Sequence, residues 1–182
     1  MQHILIVLMS FLVLTQAQEV APNDISAEVV SAEDTSTVLG NLSVSEAGGV
    51  SVTLSIEPND VFFGGEHAIH IHETGSCEAA DTDDDGETEA AGAAGEHYNP
   101  TEVGHGTDNG PHIGDSENYN YVFEDDGSFS GEILFPLASL TGENPILDED
   151  GSALIIHAKR DDTTSDPGGQ AGARVACAVI NP

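Results

Sequence analysis

The sequence predicts an all-β fold, an antiparallel sandwich or barrel of about eight short strands with long loops between them. Three observations predict it. Residues with strand character come in short runs broken by Gly- and Asp-rich turn signals. No stretch sustains a 3.6-residue apolar period with caps at its ends. The composition, with 20 Gly, 8 Pro, no Trp and 38% hydrophobic residues among 182, suits a loop-rich domain better than a helical bundle. That length supports one domain with its own core, or at most two small ones.

Residues 25–30 alternate loosely and form the first predicted strand; residues 37–44 form the second. Glu46-Ala47-Gly48-Gly49 turns the chain into Val50-Ser51-Val52-Thr53-Leu54-Ser55-Ile56, where apolar and polar residues alternate strictly, as in a half-buried strand. Residues 68–73 are the fourth candidate. Residues 119–123 and 129–135 flank Glu124-Asp125-Asp126-Gly127, a hairpin-turn signal. Residues 153–157 and 174–180 complete the set. Two segments fit no strand pattern: 78–95, rich in Ala, Asp, Glu and Gly, and the polar 99–118. Long loops in a compact domain are usually functional or disordered, and the second one carries two histidines and a downstream aspartate.

With 3 Lys+Arg against 33 Asp+Glu the net charge is −30, which excludes nucleic-acid binding through phosphate neutralisation. All the basic residues, Lys159, Arg160 and Arg174, lie in the last quarter of the chain. Such charge also raises the reading of a disordered chain, but the alternating apolar runs favour a folded domain with a salt-adapted surface. Asp81-Thr82-Asp83-Asp84-Asp85-Gly86 matches the start of a calcium-binding loop. Its twelfth position, where a bidentate Glu belongs, is Gly92, so a solvated acidic loop is the better reading.

The only long apolar run, residues 4–14, has the length of a signal-peptide core and is too short to span a bilayer. Thr15-Gln16-Ala17 supplies the small residues of a cleavage site, so residues 1–17 read as a signal peptide and 18–182 as the mature domain, beginning at Gln18. The n-region offers His3 but neither Lys nor Arg, and a retained anchor is the alternative. Export to the periplasm or medium, with no stable membrane insertion after cleavage, follows from this reading. Cys77 and Cys177 fit that compartment. An even count in an exported chain is most simply one disulfide, stabilising by roughly 4–5 kcal/mol across so long a loop. A thiol metal site is the weaker alternative, since neither Cys has a partner ligand at close spacing.

Seven further histidines carry the chemistry. His70 and His72 sit two apart on a predicted strand, where their side chains leave the same face and offer half a metal site. His67, three residues before His70, falls on the opposite face and reads as a hydrogen-bonded core or edge histidine. His97, His105, His112 and Asp115 lie within nineteen residues; three nitrogen donors and a carboxylate suit a structural zinc. His157 follows Leu154-Ile155-Ile156 and can project from a strand end toward the His70/His72 pair.

These motifs carry a resemblance. His67-Ala-Ile-His70-Ile-His72-Glu73, Gly75-Ser-Cys77, Gly95-Glu-His97-Tyr-Asn-Pro100, Gly110-Pro-His112-Ile-Gly-Asp115, His157 and Gly172-Ala-Arg174-Val-Ala-Cys177 resemble the copper/zinc superoxide dismutases. The insert between Cys77 and His97 and the segment Asp161-Asp-Thr-Thr-Ser-Asp-Pro167 resemble the bacterial, periplasmic branch. The likeness runs from about Val29 to Ile180 with the motifs in order. It implies an eight-stranded antiparallel Greek-key sandwich or barrel with long metal-binding loops. It makes His70, His72, His97 and His157 copper ligands, and His97, His105, His112 and Asp115 zinc ligands, with His97 shared between them. Asp161 becomes the carboxylate that orients one ligand histidine on each metal. Cys77 and Cys177 match the family disulfide, and Arg174 matches the arginine beside the copper opening.

The implied reaction is the dismutation of superoxide to oxygen and hydrogen peroxide, with copper cycling between oxidation states and zinc redox-silent. His97 is expected to leave copper on reduction, take up a proton and deliver it on reoxidation, while Arg174 orients the anion. An acidic enzyme for an anionic substrate repels what it must bind at low ionic strength. Two features soften this: Lys159 and Arg160 come just two and three residues after His157, and in roughly molar salt the Debye length falls to about 3 Å. Two other readings stand beside this one: a non-catalytic copper- or zinc-binding protein on the same fold, and a metal-free acidic β-sandwich. Homodimer formation is left open, because interface residues in this fold vary between branches.

Overall fold

A computed structural model describes residues 25–46, 48–81, 87–106 and 110–181. The predicted signal peptide and the predicted mature start therefore lie outside the described residues, as does most of the calcium-loop-like segment. Eight strands are seen: β1 (Ile25–Ser31), β2 (Val38–Glu46), β3 (Val50–Ile56), β4 (Gly65–His72), β5 (Asp115–Phe123), β6 (Phe129–Phe135), β7 (Ser152–His157) and β8 (Arg174–Ile180). A single 3-10 turn, Gly92–Ala94, is the only helical element among the described residues, and no helix there is long and apolar enough to cross a membrane.

The strands form one sheet in the order β5-β4-β7-β8-β1-β2-β3-β6, every pair antiparallel. The end strands β5 and β6 also touch, so the sheet curls into a nearly closed barrel. The chain leaves β3, crosses to β4 and β5, returns to β6 beside β3, and crosses again to β7 beside β4, which is the Greek-key connection expected. The predicted hairpin turn closes as the sequence implies. Glu124 N–H donates to Ser128 O, Gly127 takes φ 78° where a side chain is disfavoured, and Asp126 Oδ1 accepts from Ser128 N–H at 3.1 Å and its hydroxyl at 2.7 Å.

The barrel interior is apolar. Val44, Val52, Leu54, Ile69, Ile71, Phe123, Ile133, Phe135, Leu154 and Ile156 are buried and form one continuous cluster. A smaller cluster, built on Ala91, Ala94, Ala153, Ile155 and Cys177, fills the outer side of β7 and β8 beneath the loop after β4. This second layer explains why all six residues of β7 are buried, and why it reads as a continuous apolar run rather than an alternating one. The alternation in β3 breaks at Ser51, which is buried because its hydroxyl donates to Glu132 across the β3–β6 pair. The Cys77–Cys177 disulfide ties the loop after β4 to β8, with Cα atoms 5.8 Å apart.

Two boundaries differ from expectation by more than two residues. β4 starts at Gly65, and β5 starts at Asp115, inside the segment read as loop. Along β5 the pairing jumps from Ala68↔Asn120 to His70↔Asp115, so residues 116–119 form a long bulge opposite Ile69 alone. Tyr119 within it has φ 57°. A polar, bulged strand end carries no period-2 signal, which is why the sequence hides it.

Candidate metal centre

β5 drifts away from β4 at the bulge, and the loop backbone takes its place. Ile71 N–H donates to Gly114 O, Tyr98 N–H to Ile71 O, Gly114 N–H to Tyr98 O, and Glu73 N–H to Glu96 O. His97 is thereby laid across from His72 in a two-residue antiparallel bridge. The outer face of β4, bearing His70 and His72, ends up roofed by residues 91–106, 110–114 and 158–173, so both histidines are buried.

Two sets of four residues each bring one candidate ligand atom apiece to within 4.8 Å of one another: His70, His72, His97 and His157, and His97, His105, His112 and Asp115. All seven residues are buried, and His97 belongs to both sets. His67 stands apart, as expected: its ring nitrogens meet the carbonyls of His157 at 2.8 Å and Phe63 at 2.9 Å, and it packs against Phe62 and Phe123.

In the first set, each of three rings has one nitrogen tied down. His70 Nε2 is 2.9 Å from Asp161 Oδ2, His72 Nδ1 is 2.8 Å from Gly95 O, and His157 Nδ1 is 3.0 Å from Gly172 O. The other nitrogen of each ring, His70 Nδ1, His72 Nε2 and His157 Nε2, is buried without a hydrogen-bond partner. A buried polar atom without a partner costs about 1–3 kcal/mol, and three converging on one point call for a cation with nitrogen affinity. Burial and the neighbouring His97 lower the His70 pKa to about 4, and burial first and His97 second take His72 far below its ordinary value. Burial and His70 do the same to His157. These imidazoles are neutral at pH 7, with lone pairs available to a metal.

The second set has the opposite electrostatics. His97 Nδ1 lies 3.0 Å from Asp115 Oδ1 and 3.4 Å from His112 Nδ1, two ring nitrogens facing one carboxylate. His105 is held between carboxylates, with Nδ1 3.2 Å from Asp115 Oδ2 and Nε2 3.0 Å from Asp161 Oδ2. Burial pushes the His105 pKa down, but hydrogen bonds to Asp115 and Asp161 outweigh it and raise it to about 10. Burial likewise opposes ionisation of Asp115, yet hydrogen bonds from His105 and His97 hold its pKa well below the usual carboxylate range. Asp161 follows the same pattern through His105 and His70.

Asp161 therefore touches one histidine of each set. Gly169 (φ 60°) lies so close that a Cβ there would fall on the Asp161 carboxylate, and the backbone of Asp161 is clamped by Asn120. Arg174 sits at the first residue of β8, and its guanidinium donates to Ala91 O at 2.8 Å, Gly92 O at 3.3 Å and Gly95 O at 2.7 Å. Gly95 O thus takes donors from both His72 and Arg174. The buried His72, His97 and His157 form part of the lining of an open cavity of about 500 Å³, with Arg174 on its wall. Arg160 turns elsewhere, its Nε 3.9 Å from Glu66, and Lys159 lies along Gly172.

The copper/zinc superoxide dismutase family model matches residues 38–180. The chain belongs to the copper/zinc superoxide dismutase family. It is 36% identical over 133 residues to a copper/zinc superoxide dismutase of Aquifex aeolicus, covering 71% of this chain and 72% of that protein. It is 42% identical over 120 residues to that of Caulobacter vibrioides, covering 64% of each. The Escherichia coli K12 enzyme matches at 29% identity over 185 residues, 99% of each chain. Among solved structures, the Cu/Zn superoxide dismutase from Brucella abortus superposes with a TM-score of 0.70 at 27% identity, covering 87% of this chain and 99% of that one. A double mutant of a superoxide dismutase-like protein from Bacillus subtilis gives 0.73 at 32%, covering 86% and 97%.

The residues singled out by sequence are thus brought together as two adjoining clusters with Asp161 between them and Arg174 beside them. The sequence reading missed Asn120, Gly95 and Asp166, whose Oδ1 accepts from His105 N–H at 2.8 Å. Their roles run through backbone atoms, which no residue pattern signals.

Proposed function

We propose that this chain is an exported superoxide dismutase that holds copper on His70, His72, His97 and His157, and zinc on His97, His105, His112 and Asp115. The observation that carries the reading is the trio of partnerless buried nitrogens on His70, His72 and His157 beside a histidine shared with a carboxylate-bearing set. An all-imidazole site suits copper, and a site of three imidazoles with one carboxylate suits zinc. When bound, copper supplies a reversible one-electron exchange and zinc a fixed, redox-silent charge.

The chain's own groups do the rest. Two superoxide anions and two protons give one oxygen and one hydrogen peroxide, one anion being oxidised and the other reduced. Arg174, held by three backbone carbonyls, presents a fixed positive charge to orient each anion at the cavity floor. His97 keeps Nδ1 on the Asp115 side, so Nε2 is the atom that holds a proton and returns it to the reduced product. Asp161 fixes the rings of His70 and His105 and thereby the spacing of the two sets.

The apolar run at residues 4–14, the disulfide and the acidic composition support export through a cleaved leader, a domain beginning near residue 18, and a surface adapted to salt. The alternative is a copper- or zinc-binding protein without turnover on the same fold. Two complete ligand sets and a fixed Arg174 favour catalysis. Copper and zinc content and superoxide consumption, measured on one preparation, decide between them. Two different metals with turnover uphold the proposal; metal without turnover makes it a binding protein, and no metal removes both.

A further inference from the structure

The cavity above the four-imidazole cluster carries the wrong charge for its substrate. Its walls hold Glu89, Glu96 and Asp166 against the single guanidinium of Arg174. Neither Lys159 nor Arg160 lines it, and Arg160 leans toward Glu66. A second opening, of about 380 Å³, leads to His97 and His112 beside the mixed cluster, and its walls are acidic too, with Glu73, Glu96, Glu102 and Asp166. Glu96 stands in both. Its backbone is locked, since its carbonyl accepts from Glu73 N–H while the preceding Gly95 carbonyl holds Arg174 and His72. Its side chain is exposed. What this acidic rim leads to is independent of the rim itself: His72 and His157, only 1% and 6% exposed, line the first cavity, and their Nε2 atoms are buried there without a partner.

We infer that Glu96, seconded by Glu89, makes this shared mouth a vestibule for cations, drawing in the metal ions that the histidine clusters bind and holding back superoxide until salt screens it. The inference rests on the proposed dismutase reading for its substrate half, while its metal half depends only on the orphaned nitrogens. The physics is local. An exposed carboxylate at a cavity rim acts over the Debye length, about 30 Å in 0.01 M salt and about 3 Å in molar salt. A charge within a cleft alters the encounter rate of ions of either sign, in opposite directions. Arg174 sits in the same field: burial lowers its pKa, and the charges of Glu96 and then Glu89 act against that. The one cation that orients superoxide is thereby partly cancelled at long range.

The test compares Glu96→Gln with Glu28→Gln. Glu28 is exposed on β1, outside both cavities, so the two variants change the net charge equally. Uptake of Cu(II) by the metal-free full chain is followed by stopped flow, and kcat/KM for superoxide is measured on the copper- and zinc-loaded chain, both from about 0.01 M to molar salt. At low salt E96Q is expected to take up Cu(II) roughly two- to fivefold more slowly than wild type and to consume superoxide faster by a similar factor. Both differences should vanish in molar salt, while E28Q tracks wild type throughout. Should E96Q fold poorly, Glu89→Gln is expected to show the same signs at smaller size. Rates for E96Q and E89Q indistinguishable from E28Q at low salt overturn the inference. A loaded wild type without turnover at any salt overturns the dismutase reading instead, and the uptake rates then decide the vestibule by themselves.

Discussion

The two histidine clusters share His97 and touch the same aspartate, yet they are prepared for their ions in opposite ways. In the first, three neutral rings point bare lone pairs inward, and their other nitrogens are held by Asp161 and by the carbonyls of Gly95 and Gly172. In the second, two buried carboxylates grip His105 as an imidazolium, so a proton occupies the place an ion takes. The first cluster presents preorganised lone pairs without hydrogen-bond partners, whereas the second already sets one positive charge against its two carboxylates. Loading the first satisfies orphaned atoms; loading the second exchanges one cation for another.

The sharpest way to break that contrast is to remove a ligand from one side only. His157→Ala takes a nitrogen from the first cluster alone and is expected to abolish both copper retention and turnover while zinc content stays near that of wild type. His112→Ala is expected to do the reverse for zinc, leaving copper bound with diminished turnover. Metal content by mass spectrometry on dialysed protein reads both. Loss of both metals in both variants would mean the clusters form one cooperative unit.

Asp161→Asn strikes the two sides together. Its Oδ2 meets the Nε2 of His70 at 2.9 Å and its Oδ1 that of His105 at 3.1 Å, and an amide offers one acceptor oxygen where the two rings use one each. Losing such an orienting partner typically costs about 10- to 100-fold in metal affinity. Chelator competition should show that loss at both clusters. A loss confined to copper would show that Asp115 alone suffices to orient His105.

pH separates the clusters without mutation. His105, raised to about 10, must give up its proton to bind an ion, so zinc affinity of the metal-free chain should rise about tenfold per pH unit between neutrality and pH 10. Calorimetry in buffers of different ionisation enthalpy should find a proton released at pH 7. His70, lowered to about 4, carries no proton there and adds nothing to the release. The same shifts act on folding of the metal-free chain with opposite signs. The raised His105 contributes stability that is whole below its unfolded value, ~6.5, and is lost as pH climbs through 10. The lowered His70 works against the fold as pH falls from ~6.5 through 4. Urea unfolding of metal-free protein should therefore be most resistant near neutrality, and a maximum displaced to pH 9 or above would contradict the His105 assignment.

The ligand sets were legible because their chemistry forces patterns onto sequence. His70 and His72 need spacing two on a strand, His157 needs to end an apolar run, and His97, His105, His112 and Asp115 are polar residues crowded where no strand fits. The strand set was legible too, to within a few residues, since β3, β6 and β8 alternate or run apolar over their whole length. What was hidden is what works through backbone or geometry. Asn120 lies in a bulged strand end whose polar residues look like loop, and Gly95 acts through its carbonyl. Glu96 was invisible as a site residue because one glutamate among so many says nothing until two cavities are found to share it. Arg160 shows the converse, since proximity in sequence to His157 suggested a steering charge that Glu66 instead attracts.

Asn120 supplies the smallest and most discriminating effect. Its Nδ2 donates to Asp161 O at 3.0 Å and its Oδ1 accepts from Asp161 N–H at 2.7 Å, so one side chain fixes both backbone polar groups of the residue that joins the clusters. Asp161 is fully buried, and Asn120→Ala would leave its N–H without that partner, a cost of about 1–3 kcal/mol that should appear as a lowered melting temperature. The carboxylate itself remains, anchored by two ring nitrogens and Thr163 N–H. Both metal affinities should consequently fall together and only a few-fold, well short of the effect of Asp161→Asn. Asn120→Asp keeps the acceptor but loses the donor and should fall between wild type and alanine. Equal loss at both clusters identifies Asn120 as the support of a shared pivot. A loss at one cluster alone would mean that His70 and His105 are oriented independently, and the two sites would be neighbours rather than a coupled pair.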